Sequence, residues 1–229
     1  MKSFSYKEMY VEDGEKTLEI NILPDKYCNF DCIFCPIGRS KNKVDIPQHF
    51  SESDSIISEL AEVIETKKPN LIFINSKGEA FFNDNLDTIV DYIKHKGIKV
   101  KLFSNGYLLK IDEFKKIANK CDAVVGEIKT ITEESFQKVQ RPMQGYNLEN
   151  YISNMTEFRN QYSGKFIFEI TIIKGYNDDE ASVSQLASIV KQLHPDKTIV
   201  VRMNEEPFKK KLGISDERFA EISNILLNI

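Results

Sequence analysis

Residues 17–40 read TLEINILPDKYCNFDCIFCPIGRS, a β-branched apolar run that passes straight into Cys28, Cys32 and Cys35. The run at 17–23 predicts a strand. Similar runs recur at 71–75, 99–104, 123–128, 166–173 and 198–203. Several are apolar on both faces, as in a parallel sheet covered by helices. Between them lie stripes at helical spacing: Ile56, Ile57, Leu60, Val63 and Ile64, behind Ser51 and Asp54 at capping-box separation; then Leu86, Ile89, Val90 and Ile93; and then Phe114, Ile117 and Ala118. Tyr151, Ile152, Met155, Phe158 and Tyr162 form a fourth stripe, and Val183, Leu186, Ala187, Val190 and Leu193 a fifth. Phe219, Ile222, Ile225 and Leu226 mark a closing helix behind Ser215. Such stripes are core-packing faces.

Strand–helix pairs at this spacing are βαβ units, and right-handed crossovers lay their strands in parallel. A closed eight-unit barrel typically needs about 250 residues. This 229-residue chain has six units, which predicts an α/β fold, an open partial (β/α)6 barrel in one domain over 1–229. Its core runs over about 17–203, with the closing helix at about 215–228.

Composition narrows the function classes. Hydrophobic residues make up 41% of the chain and charged residues 29%, as in a soluble globular protein. The polar N-terminus has no secretory h-region, and no apolar run approaches the roughly 20 residues of a membrane span. A cytoplasmic protein, a monomer with no membrane partner, is expected. The net charge of −4 gives no basic footprint for nucleic acid. Four cysteines, three of them within eight residues, point to metal rather than to a disulfide framework.

In α/β folds the chemistry lies beyond the C-terminal ends of the strands. The first such loop holds Cys28, Cys32 and Cys35 in C-x3-C-x2-C spacing. Clustered thiolates hold iron–sulfur clusters, and three of them leave a fourth iron open to a reagent. A zinc site completed by His49 is the alternative; His95 and His194 lie toward the other end of the sheet. Cys121 precedes the fourth strand, and a strand spans on the order of 20 Å, so it is expected to be a buried apolar filler rather than a ligand.

With Phe34 just before its last cysteine, this motif resembles that of the radical S-adenosylmethionine superfamily. The resemblance implies one [4Fe–4S] cluster on Cys28, Cys32 and Cys35, with S-adenosylmethionine chelating the open iron and yielding a 5′-deoxyadenosyl radical. Ser76-Lys77-Gly78-Glu79-Ala80 resembles the superfamily's Gly-Gly-Glu-Pro segment, with Lys77 and Ala80 departing from it. It implies that Gly78 and Glu79 receive the cationic amino group of the cofactor. Phe103-Ser104-Asn105-Gly106-Tyr107-Leu108-Leu109 resembles Thr-Asn-Gly-x-Leu-Leu, which makes Ser104 and Asn105 candidates for the ribose and methionyl edges. Glu127 and Lys129 end the fourth strand with charge, either as ribose and substrate contacts or as a mutual salt bridge.

The segments at 35–40, 135–142 and 169–178 are similar to the subfamily of tRNA wyosine-base synthases. On that resemblance Lys129 and Arg141 are the catalytic candidates, Arg141 as a carboxylate clamp. Phe34, Glu169 and Arg202 join the cofactor-binding set. Asn177-Asp178 are candidate caps of the following helix, and Lys209-Lys210-Lys211 reads as a solvated patch. Residues 1–27 lack the upstream cysteines of the second wyosine-synthase cluster, and tRNA is not the expected substrate. The partners implied are an electron donor such as flavodoxin or ferredoxin and a substrate that is a small molecule, a nucleoside or a protein, under anaerobic conditions. A glycyl-radical activase, a non-catalytic electron carrier and a zinc-stabilised binding module are the competing readings.

Overall fold

The six predicted strands form one sheet in sequence order, every neighbouring pair parallel: β1 (Glu15–Asn21), β2 (Leu71–Ile74), β3 (Lys99–Phe103), β4 (Ala123–Ile128), β5 (Lys165–Ile172) and β6 (Lys197–Arg202). This is a computed structural model, and it describes residues 4–40, 42–51 and 55–229. The crossovers carry α1 (Ile56–Lys67), α2 (Leu86–His95), α3 (Asp112–Lys120), α4 (Leu148–Gln161) and α5 (Glu180–Leu193), and α6 (Asp216–Leu227) closes the chain. No strand links β6 back to β1 among the described residues, so the barrel is open, as six units predict.

Register separates the two faces. Leu18, Ile20, Ile72, Ile74, Val100, Leu102, Val124, Phe166, Phe168 and Ile170 are fully buried in the core shared with the helices. Their odd-numbered neighbours face the concave side, where Phe73, Lys101, Val125, Glu127, Ile167, Glu169 and Ile199 line a cavity. The expectation that several strands are apolar on both faces holds where Phe73, Phe103, Val125, Ile167 and Ile199 lie on the concave side, and fails at Lys101, Glu127 and Glu169. The concave side carries charge because it faces an open cavity rather than a second layer of helices. Phe168 is 0% exposed. Phe168→Ala is expected to cost about 3–5 kcal/mol in urea denaturation, and a loss below about 1 kcal/mol would mean that this face is not the core.

Further elements beyond these were not anticipated. Strands Ser5–Tyr6 and Tyr10–Glu12 both pair antiparallel with β1 and cover its outer edge. Asp13 (φ +50°) and Gly14 (φ +81°) make the two-residue turn between Tyr10–Glu12 and β1, and an Asp-Gly pair is a hairpin signal. Helix α1 is preceded by Ser55 as its N-cap, and that side chain makes no capping bond. Of the proposed capping pair, Asp54 lies outside the described residues. Asp179, not Asn177 or Asp178, caps α5 by accepting from the Ser182 amide. Ser215 caps α6 as predicted.

Candidate functional site

The cysteine loop leaves β1 and is held both by contacts within it and by its neighbours. Tyr27–Cys28 pairs with Asn42–Lys43, and the Lys26 ammonium is buried across the loop, donating to the Gly38 carbonyl at 2.6 Å. Asp31 accepts a fork from Arg39 and the Ser40 amide at 2.7 Å. A π-helical turn, Phe136–Gln140, lies alongside. The Asp31 amide donates to the Gln140 and Arg141 carbonyls, Ile33 donates to Val139, and Met143 donates to Asn29. The motif at 135–142 thus braces the cysteine loop through its backbone.

Cys28 and Cys32 are buried and Cys35 is half-buried, and all three line a cavity of about 800 Å³. Burial pushes the Cys32 thiol up to about 12, and it also raises Cys28. Such thiols ionise only when a bound cation stabilises the thiolate. Among the described residues no three His, Cys, Asp or Glu side chains converge as ligands of a single ion would. Thiolates on three different irons need no such convergence, since each iron takes one of them. His49 stands outside the cavity lining, 3.0 Å from Asp84, so the zinc reading lacks its fourth ligand. Cys121 is buried, its thiol directed at the Ile117 carbonyl.

Beyond β2, Gly78 has φ +124°, and a Cβ there would stand 1.9 Å from the Tyr27 carbonyl oxygen. The Glu79 amide donates to that same oxygen at 2.8 Å, which ties this loop to the cysteine loop. Gly78→Ala is therefore expected to push the two loops apart and lower iron retention after reconstitution. Iron content equal to wild type would show that the contact yields without consequence.

Glu79 is fully buried. Its Oε2 accepts from the Ser104 hydroxyl at 3.0 Å and the Asn105 amide at 2.9 Å, while Oε1 has no hydrogen-bond partner. Burial lifts its pKa to about 7, against the pull of those donors and of the Phe81 amide. An orphaned carboxylate oxygen beside the cysteine loop is what a cationic amino group would satisfy. The residues present therefore fit both a cluster and S-adenosylmethionine. Asn105 lines the cavity and donates to Asn29 Oδ1 at 2.7 Å. Ser104 does not line it, because its hydroxyl is committed to Glu79 and the Gly106 amide.

The end of β4 brings Glu127 and Lys129 into the cavity as a mutual ion pair, with the ammonium 5.9 Å from the centre of the Phe34 ring. Burial works against charge on Lys129, but Glu127 and Cys32 hold its pKa above the ordinary lysine value. Glu169 stands in register with Glu127. Burial, reinforced by Glu127, lifts the Glu169 pKa to about 7. Arg202 lines the rim, paired with Asp216 and over the Phe219 ring at 5.0 Å.

Arg141 is not among the lining residues. Its backbone has φ +47°, and its Nε turns back to the Lys138 carbonyl, so the sequence expectation of a clamp is not met. Asn177, fully buried, accepts from the Ile173 amide and donates to the Lys129 and Thr171 carbonyls. It fixes the end of β4 to that of β5. The buried Lys26 and the Asp31–Arg39 fork were not anticipated; a charged residue two positions before a metal-type cysteine was the available signal.

Residues 22–187 match the radical SAM superfamily. The chain belongs to that superfamily. Radical SAM proteins use a [4Fe–4S] cluster and S-adenosylmethionine. Among relatives, a UPF0026 protein of Methanocaldococcus jannaschii is 26% identical over 185 residues, covering 80% of this chain and 58% of the relative. A UPF0026 protein of Helicobacter pylori is 24% identical over 184 residues, covering 78% and 59%. The chain thus spans about three-fifths of the length of these relatives. The radical SAM fold is also that of TYW1 with a lysine-pyruvate adduct bound (TM-score 0.67, 16% identity, 93% of this chain and 74% of that one). It is shared with a radical SAM methyltransferase from Sphaerobacter thermophilus (TM-score 0.69, 13% identity, 99% and 74%).

Proposed function

We propose that this radical SAM chain binds one [4Fe–4S] cluster through Cys28, Cys32 and Cys35 and cleaves S-adenosylmethionine reductively to begin a hydrogen-abstraction reaction. The observation that carries this reading is the meeting of three buried or half-buried thiols and an unfilled Glu79 oxygen at one end of a parallel sheet. When bound, the cluster supplies an electron that splits the sulfonium into methionine and a 5′-deoxyadenosyl radical, which takes hydrogen from a substrate. Glu79 Oε1 would accept from the cofactor's ammonium, with Gly78 letting the backbone approach. Asn105 would orient its methionyl part. Glu127 and Lys129, neutral as a pair, would offer one carboxylate to the cofactor's ribose hydroxyls and one ammonium to the cofactor's own carboxylate. Phe30 and Phe34, buried at the cavity wall, keep water from the thiols.

This reading calls for a one-electron donor such as flavodoxin or ferredoxin, and for a reducing, oxygen-poor cytoplasm. No helix among the described residues is long and apolar enough to cross a membrane. Anaerobic reconstitution followed by dithionite and S-adenosylmethionine should release 5′-deoxyadenosine; no release from brown, cluster-loaded protein would overturn the proposal.

The chain is expected to differ from TYW1-type chemistry, because within residues 1–229 the only thiol outside the loop, Cys121, is directed at the Ile117 carbonyl at the other end of the sheet and cannot hold a second cluster there. Iron analysis should give about four irons per chain, the count of one cubane. Incubation with pyruvate and N1-methylguanosine-containing tRNA should give no tricyclic base. About eight irons, or that base, would refute the distinction.

A further inference from the structure

The concave face carries many charges, and nearly all are matched. Glu19 pairs with Lys7 at 2.6 Å, Lys101 with Glu12 at 2.6 Å, Lys197 with Asp13 at 3.0 Å, and Glu127 with Lys129. Lys26 and Arg202, which also line the cavity, have Asp31 and Asp216. Among the described charged residues that line the cavity, those without an ion pair of their own are Glu205, at its exposed rim, and Glu169, well inside; Lys129 acts on Glu169 electrostatically but is paired with Glu127. Glu169 shares its register position with Glu127, so two carboxylates stand on adjacent strands and one lysine answers them. Like charges this close disfavour one another unless a cation intervenes.

Below Glu169 the wall changes character. Val125 and Ile167 form a small apolar cluster with Phe73, Phe103 and Ile199 packed against it. All five line the same cavity. Its size and its mixture of apolar wall with a few converging polar groups suit a small molecule.

We propose that this part of the cavity is the substrate subsite, and that Glu169 recognises a basic nitrogen carried on an apolar body. The inference rests on the radical SAM reading above and assigns the substrate class for it. It moves Glu169 from the cofactor, where the sequence resemblance placed it, to the substrate. The cofactor's ammonium already has Glu79 Oε1, which is buried and unfilled. A second cation would neutralise the remaining carboxylate, while Phe103, Val125, Ile167 and Ile199 cover the apolar body. A carboxylate-bearing ligand of the same shape would meet Glu169 and Glu127 with like charge and be rejected.

Calorimetry on the cluster-loaded protein with S-adenosylmethionine present tests this, using tyramine as the cationic probe and 3-(4-hydroxyphenyl)propionate as its anionic counterpart. Tyramine should bind and the propionate should not. Glu169→Gln should weaken tyramine by about tenfold or more, Glu169→Asp by less, and S-adenosylmethionine affinity should not follow. Propionate binding as well as tyramine, no tyramine binding, or unchanged tyramine affinity in Glu169→Gln would overturn the inference. A parallel loss of S-adenosylmethionine affinity would return Glu169 to the cofactor. Wild-type protein that prefers tyramine yet forms no 5′-deoxyadenosine would fail the proposed function alone. Protein that forms it without the preference would fail this inference alone.

Discussion

Cys32→Ala protein, reconstituted anaerobically with iron and sulfide, is expected to lack the broad charge-transfer absorbance of wild type and to form 5′-deoxyadenosine only at background. Cys28→Ala and Cys35→Ala should do the same. The loop offers three thiols and no spare: Asp31 is engaged by Arg39 and Ser40, and His49 faces Asp84. Burial raises the Cys28 and Cys32 pKa values, so a remaining pair ionises only at a cost that fewer iron–sulfur bonds offset less well. Losing a group that merely orients a metal ligand lowers metal affinity or activity by about 10–100-fold, so removing a ligand should exceed about 100-fold. Cys121→Ala is the control. Cys121 lies at the other end of β4, its carbonyl accepting from the Tyr162 hydroxyl at 2.7 Å, and its loss should leave the spectrum intact. Absorbance that survives loss of any one of the three loop cysteines would sink the cluster assignment.

Glu79→Gln is expected to keep the brown colour and lose about tenfold to a hundredfold in S-adenosylmethionine affinity, measured by equilibrium dialysis. The amide is close in shape and can still accept from Ser104 and Asn105 through its oxygen. What it removes is the charge offered to an ammonium, and a charge-assisted hydrogen bond is worth about 1.5–3 kcal/mol. The sign of the pH dependence follows from the raised pKa of about 7 in the ligand-free protein. Below that pH the carboxyl is protonated and a cation gains little; above it the carboxylate is formed. Binding by wild type should therefore strengthen as pH rises through about 7, and the Gln variant should lose that dependence. For folding the sign is the reverse: a carboxyl whose pKa is raised in the native state contributes stability below the unfolded value, and that contribution is lost as pH rises through about 7. Unchanged affinity in Glu79→Gln would mean that the Gly78-Glu79 loop has another role.

Local periodicity and spacing were legible without coordinates. Alternation of β-branched runs with helical stripes placed the six parallel strands to within about two residues, together with the five crossover helices and the closing one, because burial of one face imposes those periods on the chain. C-x3-C-x2-C after β1 marked the reactive end of the sheet, since thiols so close can serve one metal centre. The Asp13-Gly14 hairpin was equally local and went unread.

The tertiary structure alone decided which polar groups meet. No periodicity announces that Ser104 is spent on Glu79, that Asn177 ties Lys129 to Thr171, or that the Arg141 side chain turns back along its own helix. Those outcomes depend on strand register and on backbone turns such as the π-helical stretch, which bring together residues tens of positions apart. The division of the sheet into an apolar face and a charged one had the same origin. Which alternate residues face helices and which face a cavity is set only when five crossovers pack on one side. Glu169 shows the limit most plainly: its place within the fifth strand was visible in the sequence, but that it lacks an ion pair of its own became visible only once the charges around it had found theirs.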